Sequence, residues 1–120
     1  MKRYLVLIAY VEEEWESATP AEREDHFARH AAFEEYVATH GRQISCAPLA
    51  GVDTATTVRH VDGRVSVTDG PFVEGVEVVG GYYDVELPDL DHAIEAAGLL
   101  PASYAVEIRP TTRVEEPAAG

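Results

Sequence analysis

The chain has 120 residues, enough for one domain with a single core, and 46% of them are hydrophobic, which argues against wholesale disorder. Its formal net charge of −13, from 22 acidic residues against 9 Lys and Arg, makes a nucleic-acid backbone or an anionic membrane surface an unfavourable partner. The apolar runs are far shorter than the ~20 residues a bilayer span requires, and a single cysteine, Cys46, excludes an internal disulfide or a Cys-cluster zinc site and makes the cytoplasm the default compartment.

Arg3 to Tyr10 is β-rich, with Tyr4, Val6, Ile8 and Tyr10 alternating against Leu5, Leu7 and Ala9, so both faces of this first strand expect cover. The run is interrupted by Glu12-Glu13-Glu14 and has no cleavage-like end, so it reads as a strand rather than a signal peptide. The acidic stretch around Trp15 reads as a solvated loop. Thr19-Pro20-Ala21-Glu22 combines an N-cap, a proline at the first helical position and a capping-box Glu, predicting a helix to about His40 that stops at Gly41. At 100° per residue, Phe33, His26, Val37, His30, Phe27 and Ala31 share one arc of it and Glu24, Glu35 and Thr39 lie opposite, which places His30 near the middle of the buried face.

Three short strands follow, at Gln43 to Leu49, Thr54 to His60 and Arg64 to Thr68, with Asp62-Gly63 as a two-residue hairpin signal between the last two. Glu77 to Leu87 predicts a long strand whose paired Gly80 and Gly81 allow a bulge or close approach. Pro88-Asp89-Leu90-Asp91 opens a second helix that ends near Gly98, Ser103 to Arg109 is a last strand, and residues 111–120 read as a flexible tail after a single domain over residues 1–110. This order is that of a ferredoxin-like α+β domain with an added hairpin, two helices on one face of an antiparallel sheet. Because the strands carry apolar residues in both directions, the uncovered face predicts pairing with a second copy in a homodimer of the dimeric α/β-barrel type.

Thr68-Asp69-Gly70-Pro71-Phe72 holds one carboxylate at a glycine-proline corner, where it either caps a turn or orients a histidine. An imidazole beside a carboxylate makes a general acid or base, so His30 and Asp69 are the candidate catalytic pair; the alternative is a core-edge His30 bonded to a neighbour such as Glu34. His26 and His30 have the i,i+4 spacing of two metal ligands but lack the second motif of a metal site, and neither metal nor cofactor is expected. Tyr82 and Tyr83 are candidate pocket walls, together with His26. Arg59, Arg64 and Arg109 are scarce cations, and Arg59 is a candidate ligand-binding residue for a carboxylate. Cys46 fits an inert core thiol.

The runs Val67-Thr68-Asp69-Gly70-Pro71-Phe72-Val73-Glu74, Val79-Gly80-Gly81-Tyr82-Tyr83, Leu87-Pro88-Asp89-Leu90-Asp91-His92 and Val106-Glu107-Ile108-Arg109-Pro110 closely resemble YCII-related proteins of the DGPF type. The resemblance implies a ferredoxin-like fold in a dimeric α/β barrel and a His-Asp pair in a cleft between sheet and helix. By position the family histidine corresponds to His30; Thr39 stands where shorter relatives carry the aspartate, which leaves Asp69 as the replacement partner. Three readings follow: a small cofactor-independent lyase or isomerase acting on a small organic molecule, a non-catalytic dimeric binding or regulatory module associated with a sigma-factor system, or a ligand sensor using the same cleft.

Overall fold

A computed structural model describes residues 1–114. Strand β1 (Lys2–Tyr10) leads through a one-turn helix α1 (Glu12–Glu16) into the long helix α2 (Pro20–His40). Strand β2 (Arg42–Pro48), the hairpin β3 (Thr56–Val61) and β4 (Arg64–Asp69), strand β5 (Val78–Leu87), helix α3 (Leu90–Ala97) and strand β6 (Ala105–Pro110) complete the order. The main sheet is antiparallel, ordered β2-β5-β1-β6, and β3 and β4 form a separate two-stranded sheet. Without that hairpin the order is the ferredoxin-like one, as the sequence predicts.

The helices begin where the side chains satisfy their free amides. Thr19 and Glu22 form the reciprocal capping box of α2, and the Asp89 carboxylate accepts from the His92 amide at the start of α3. The core lies between these helices and one face of the sheet: Tyr4, Val6 and Ile8 of β1 and Tyr83, Val85 and Leu87 of β5 pack under Phe33, Val37, Ala93 and Ala96. Their alternation fixes the register, since slipping either strand by one residue would turn this set to solvent.

Three expectations change. Tyr4, Val6, Ile8 and Tyr83 all face the helices, so the open sheet face has Leu5, Leu7, Ala9, Val79 and Tyr82 as its apolar residues, with the Arg3–Asp84 and Arg42–Glu86 ion pairs beside them. Residues 12–16 form a helix rather than a loop. Thr111 remains tied to the sheet through its amide on the Arg3 carbonyl, and residues 115–120 of the expected tail lie outside the described residues.

The hairpin turns at Asp62 and Gly63, both at positive φ (51° and 77°), the primed geometry that matches strand twist. Its residues are nearly all exposed on both faces. It accounts for a shape of 50 × 42 × 18 Å with a Cα radius of gyration of 17.3 Å, against about 14 Å for a compact chain of this length.

Candidate functional site

A cavity of about 650 Å³ opens between the N-terminal half of α2 and the ends of β1, β5 and β2. It forms because α2 packs on the sheet only through its C-terminal half. Phe33 and Val37 are fully buried, whereas Phe27, on the same predicted arc, is 67% exposed and turns its ring edge to Trp15. The first half of the helix overhangs the sheet, and α1 supplies Trp15 as the far wall. Tyr10 lies against Gly80, where any Cβ would collide with its ring, so glycine is required for this wall to close.

His30 stands at the centre of the wall. Its Nδ1 is 2.7 Å from the Tyr83 hydroxyl and its Nε2 is 3.0 Å from the Tyr104 hydroxyl. Tyr83 also reaches Glu34, donating to Oε1 at 3.4 Å. Burial pushes the imidazole below its ordinary pKa, against the pull of the Glu34 carboxylate and with help from His26. Burial likewise raises both phenols, Tyr83 well above its usual range with Glu34 adding to the effect, Tyr104 with Tyr10 adding to it. All three groups are therefore neutral near pH 7.

A neutral imidazole donates from one nitrogen and accepts at the other, so the protons of the chain Glu34–Tyr83–His30–Tyr104 run in one of two directions. In the first, Tyr83 donates to Glu34, His30 Nδ1–H donates to Tyr83, and Tyr104 donates to Nε2. In the second, Tyr83 donates to Nδ1 and Nε2–H donates to Tyr104, which turns its own proton toward the cavity. Both arrangements hold the same protons on the three side chains, so passing from the first to the second takes a proton from the cavity at Tyr104 and delivers one to the Glu34 carboxylate, and the reverse passage returns it.

Asp69 is not part of this arrangement. It ends β4 on the exposed hairpin, does not line the cavity, and the His30 nitrogens it was expected to orient are both taken by tyrosines. Arg59 is likewise on the hairpin, donating to the Phe72 carbonyl at 3.4 Å. Neither residue meets His30 within one chain, because a hairpin inserted between β2 and β5 projects away from the sheet. The alternative partner Glu34 is the carboxylate that does reach His30, through Tyr83 rather than directly.

His26 lines the cavity, and Tyr82 borders it from β5 while pairing with Leu7 on the open face of the sheet. The His26 ring sits between Trp15 and Tyr104, with centroids at 5.4 and 5.6 Å, and its Nδ1 is buried without a partner. Cys46, expected in the core, is exposed at the cavity rim, where Gln43 Nε2 contacts its sulfur at 3.2 Å. Among the described residues no three His, Cys, Asp or Glu side chains converge as a metal-ligand set, and no helix is long and apolar enough to cross a membrane. Sequence reasoning missed Tyr104, Tyr10 and Trp15 as site residues. The single tryptophan of the chain, set among acids, was the available signal.

The family model of the YCII-related domain matches residues 2–113. An uncharacterized protein of Rhizobium meliloti (strain 1021) is 32% identical over 110 residues, covering 87% of this chain and 88% of its own. The family match spans the whole ferredoxin-like body and every residue of the His30 cluster.

Proposed function

From the premise that the chain belongs to the YCII-related family, we propose that it binds a small organic molecule in the α2 cavity and moves a proton on it with His30, as a cofactor-independent lyase or isomerase. The observation that carries this reading is the His30 imidazole held between the Tyr83 and Tyr104 hydroxyls in the wall of a ligand-sized cavity. Tyr104, at the cavity end, is the group that exchanges a proton with the ligand. His30 relays it through Tyr83 to or from the Glu34 carboxylate, and the two tyrosine hydroxyls hold the imidazole in place.

A non-catalytic binding module is favoured by one feature: the donors and acceptors of His30 are already satisfied by the protein itself. Screening a metabolite panel by thermal shift, then following any stabilising compound by NMR for deuterium exchange or conversion, separates the two readings. Exchange that disappears in His30→Gln supports proton transfer; binding without exchange or conversion leaves the binding module. Absence of any stabilising compound across the panel counts against both.

The half-exposed Leu5, Leu7 and Tyr82 on the open sheet face support a homodimer formed sheet to sheet. Sedimentation of the wild type and Leu7→Glu tests it: a dimer that the charge converts to a monomer is the expected result, and a monomeric wild type removes the proposal.

A further inference from the structure

We infer that the cavity selects a monocation, an ammonium group attached to an aromatic or bulky apolar body, and rejects carboxylates. The inference rests on the reading of this cavity as a ligand site and names the class of ligand. Three carboxylates, Glu14, Glu22 and Glu34, line the cavity, and among the described residues no Lys or Arg does. Glu22 is committed to the α2 capping box, accepting from the Thr19 amide. Glu34 receives only the long bond from Tyr83. The ion pairs of the described residues all lie elsewhere: Arg3–Asp84, Arg29–Asp25, Arg42–Glu86, His92–Asp89 and Arg109–Glu107. Arg3, Arg29, Arg42 and Arg109 are thus paired away from the cavity, and its acids face it with no Lys or Arg among the lining residues.

The rest of the wall matches that charge. Tyr10, Trp15, Phe27, Tyr83 and Tyr104 present ring surfaces, whose quadrupoles attract a cation and whose area takes an apolar body. The Trp15 ring already carries one such contact, with the Arg23 guanidinium 4.9 Å from its centroid. Arg23 is anchored by the carbonyls of Trp15 and Glu16, at 3.0 and 3.3 Å, and does not line the cavity. A net charge of −13 raises the local concentration of cations around the whole molecule. A carboxylate ligand would meet the opposite: three like charges, and no donor stronger than a hydroxyl or a neutral imidazole.

Trp15 is the sole tryptophan and stands in the cavity wall, so its fluorescence reports occupancy. The full chain is titrated with three probes of one shape, 2-phenylethylammonium, 2-phenylethanol and phenylacetate, by fluorescence and in parallel by calorimetry. The expected order is ammonium, then alcohol, then carboxylate, with the ammonium at least about tenfold tighter than the carboxylate. Glu34→Gln and Glu14→Gln should each weaken the ammonium several-fold while leaving the alcohol unchanged. Equal binding of all three probes, or preference for phenylacetate, overturns the charge selection and leaves the ligand-site reading standing. No binding of any probe, with the amide resonances of the cavity residues unmoved in NMR titrations, overturns both.

Discussion

The Tyr83 hydroxyl lies 2.7 Å from His30 Nδ1, and the Tyr83 ring packs on Phe33 with centroids 4.4 Å apart. One strand residue therefore belongs to the hydrophobic core through its ring and to the candidate site through its oxygen. This couples the orientation of the imidazole to the packing of α2 on β5, and it explains why His30 is rigidly placed although half the helix around it overhangs open space.

Tyr83→Phe keeps the core contact and removes the hydroxyl. It should cost about 1–2 kcal/mol, the loss of a partly buried hydrogen bond with a polar nitrogen left behind. Tyr104→Phe should cost less in stability, because Nε2 can then turn to water at the cavity. Chemical denaturation measures both, and the nitrogen shifts of the imidazole report which nitrogen has lost its partner.

The pH dependence of stability follows from burial of His30, which sets its folded pKa below the unfolded value. Between the two, the unfolded chain binds more protons than the native one, so stability rises with pH through that window. The His30 contribution is fully present above the unfolded value of about 6.5 and is lost as pH falls through the folded one. Urea unfolding from about pH 8 to about pH 5 should give a steeper acid loss for the wild type than for His30→Gln; parallel curves would show that the native state does not disfavour the protonated ring.

Phe33→Ala empties a fully buried site in the core, and the expected cost is about 3–5 kcal/mol. Because Tyr83 rests on that ring, the variant should also loosen the His30–Tyr83 bond. A native-like imidazole spectrum in a folded Phe33→Ala protein would separate the site from the core.

Gly80→Ala places a methyl group where the Tyr10 ring lies. The expected destabilisation is about 1–3 kcal/mol from forced repacking, with a shift in Trp15 fluorescence as the cavity wall moves. Thermal unfolding and an emission spectrum check it together.

Asp69→Asn should leave the His30 titration unchanged in NMR, since the hairpin carboxylate does not meet the imidazole within one chain. A displaced His30 pKa in this variant would mean that the hairpin of one copy reaches the cavity of another.

The order and type of the main elements were readable from local chemistry. Thr19, Pro20 and Glu22 announce α2, Asp62-Gly63 announces the hairpin, and strand alternation together with the element order leads to a ferredoxin-like sheet. His30, His26, Tyr82 and Tyr83 were also legible as site candidates, because a polar tip on an apolar face stands out against its neighbours. Those signals act over a few residues, where backbone preference and side-chain spacing decide the outcome.

What occupies the space around His30 was decided only by tertiary structure. Asp69 is fixed at a corner by Gly70, whose φ is 104°, but a rigid corner does not determine where a two-stranded arm points. Tyr104 and Trp15 arrive from segments 74 residues downstream and 15 residues upstream of His30, and no local preference encodes that meeting. Which face of β1 is buried, how far α2 extends beyond the sheet, and which hydroxyls take the imidazole nitrogens all follow from the packing of the two helices on one sheet. That packing is a balance of many distant contacts, whereas a cap or a turn depends on a few residues that are neighbours in the chain.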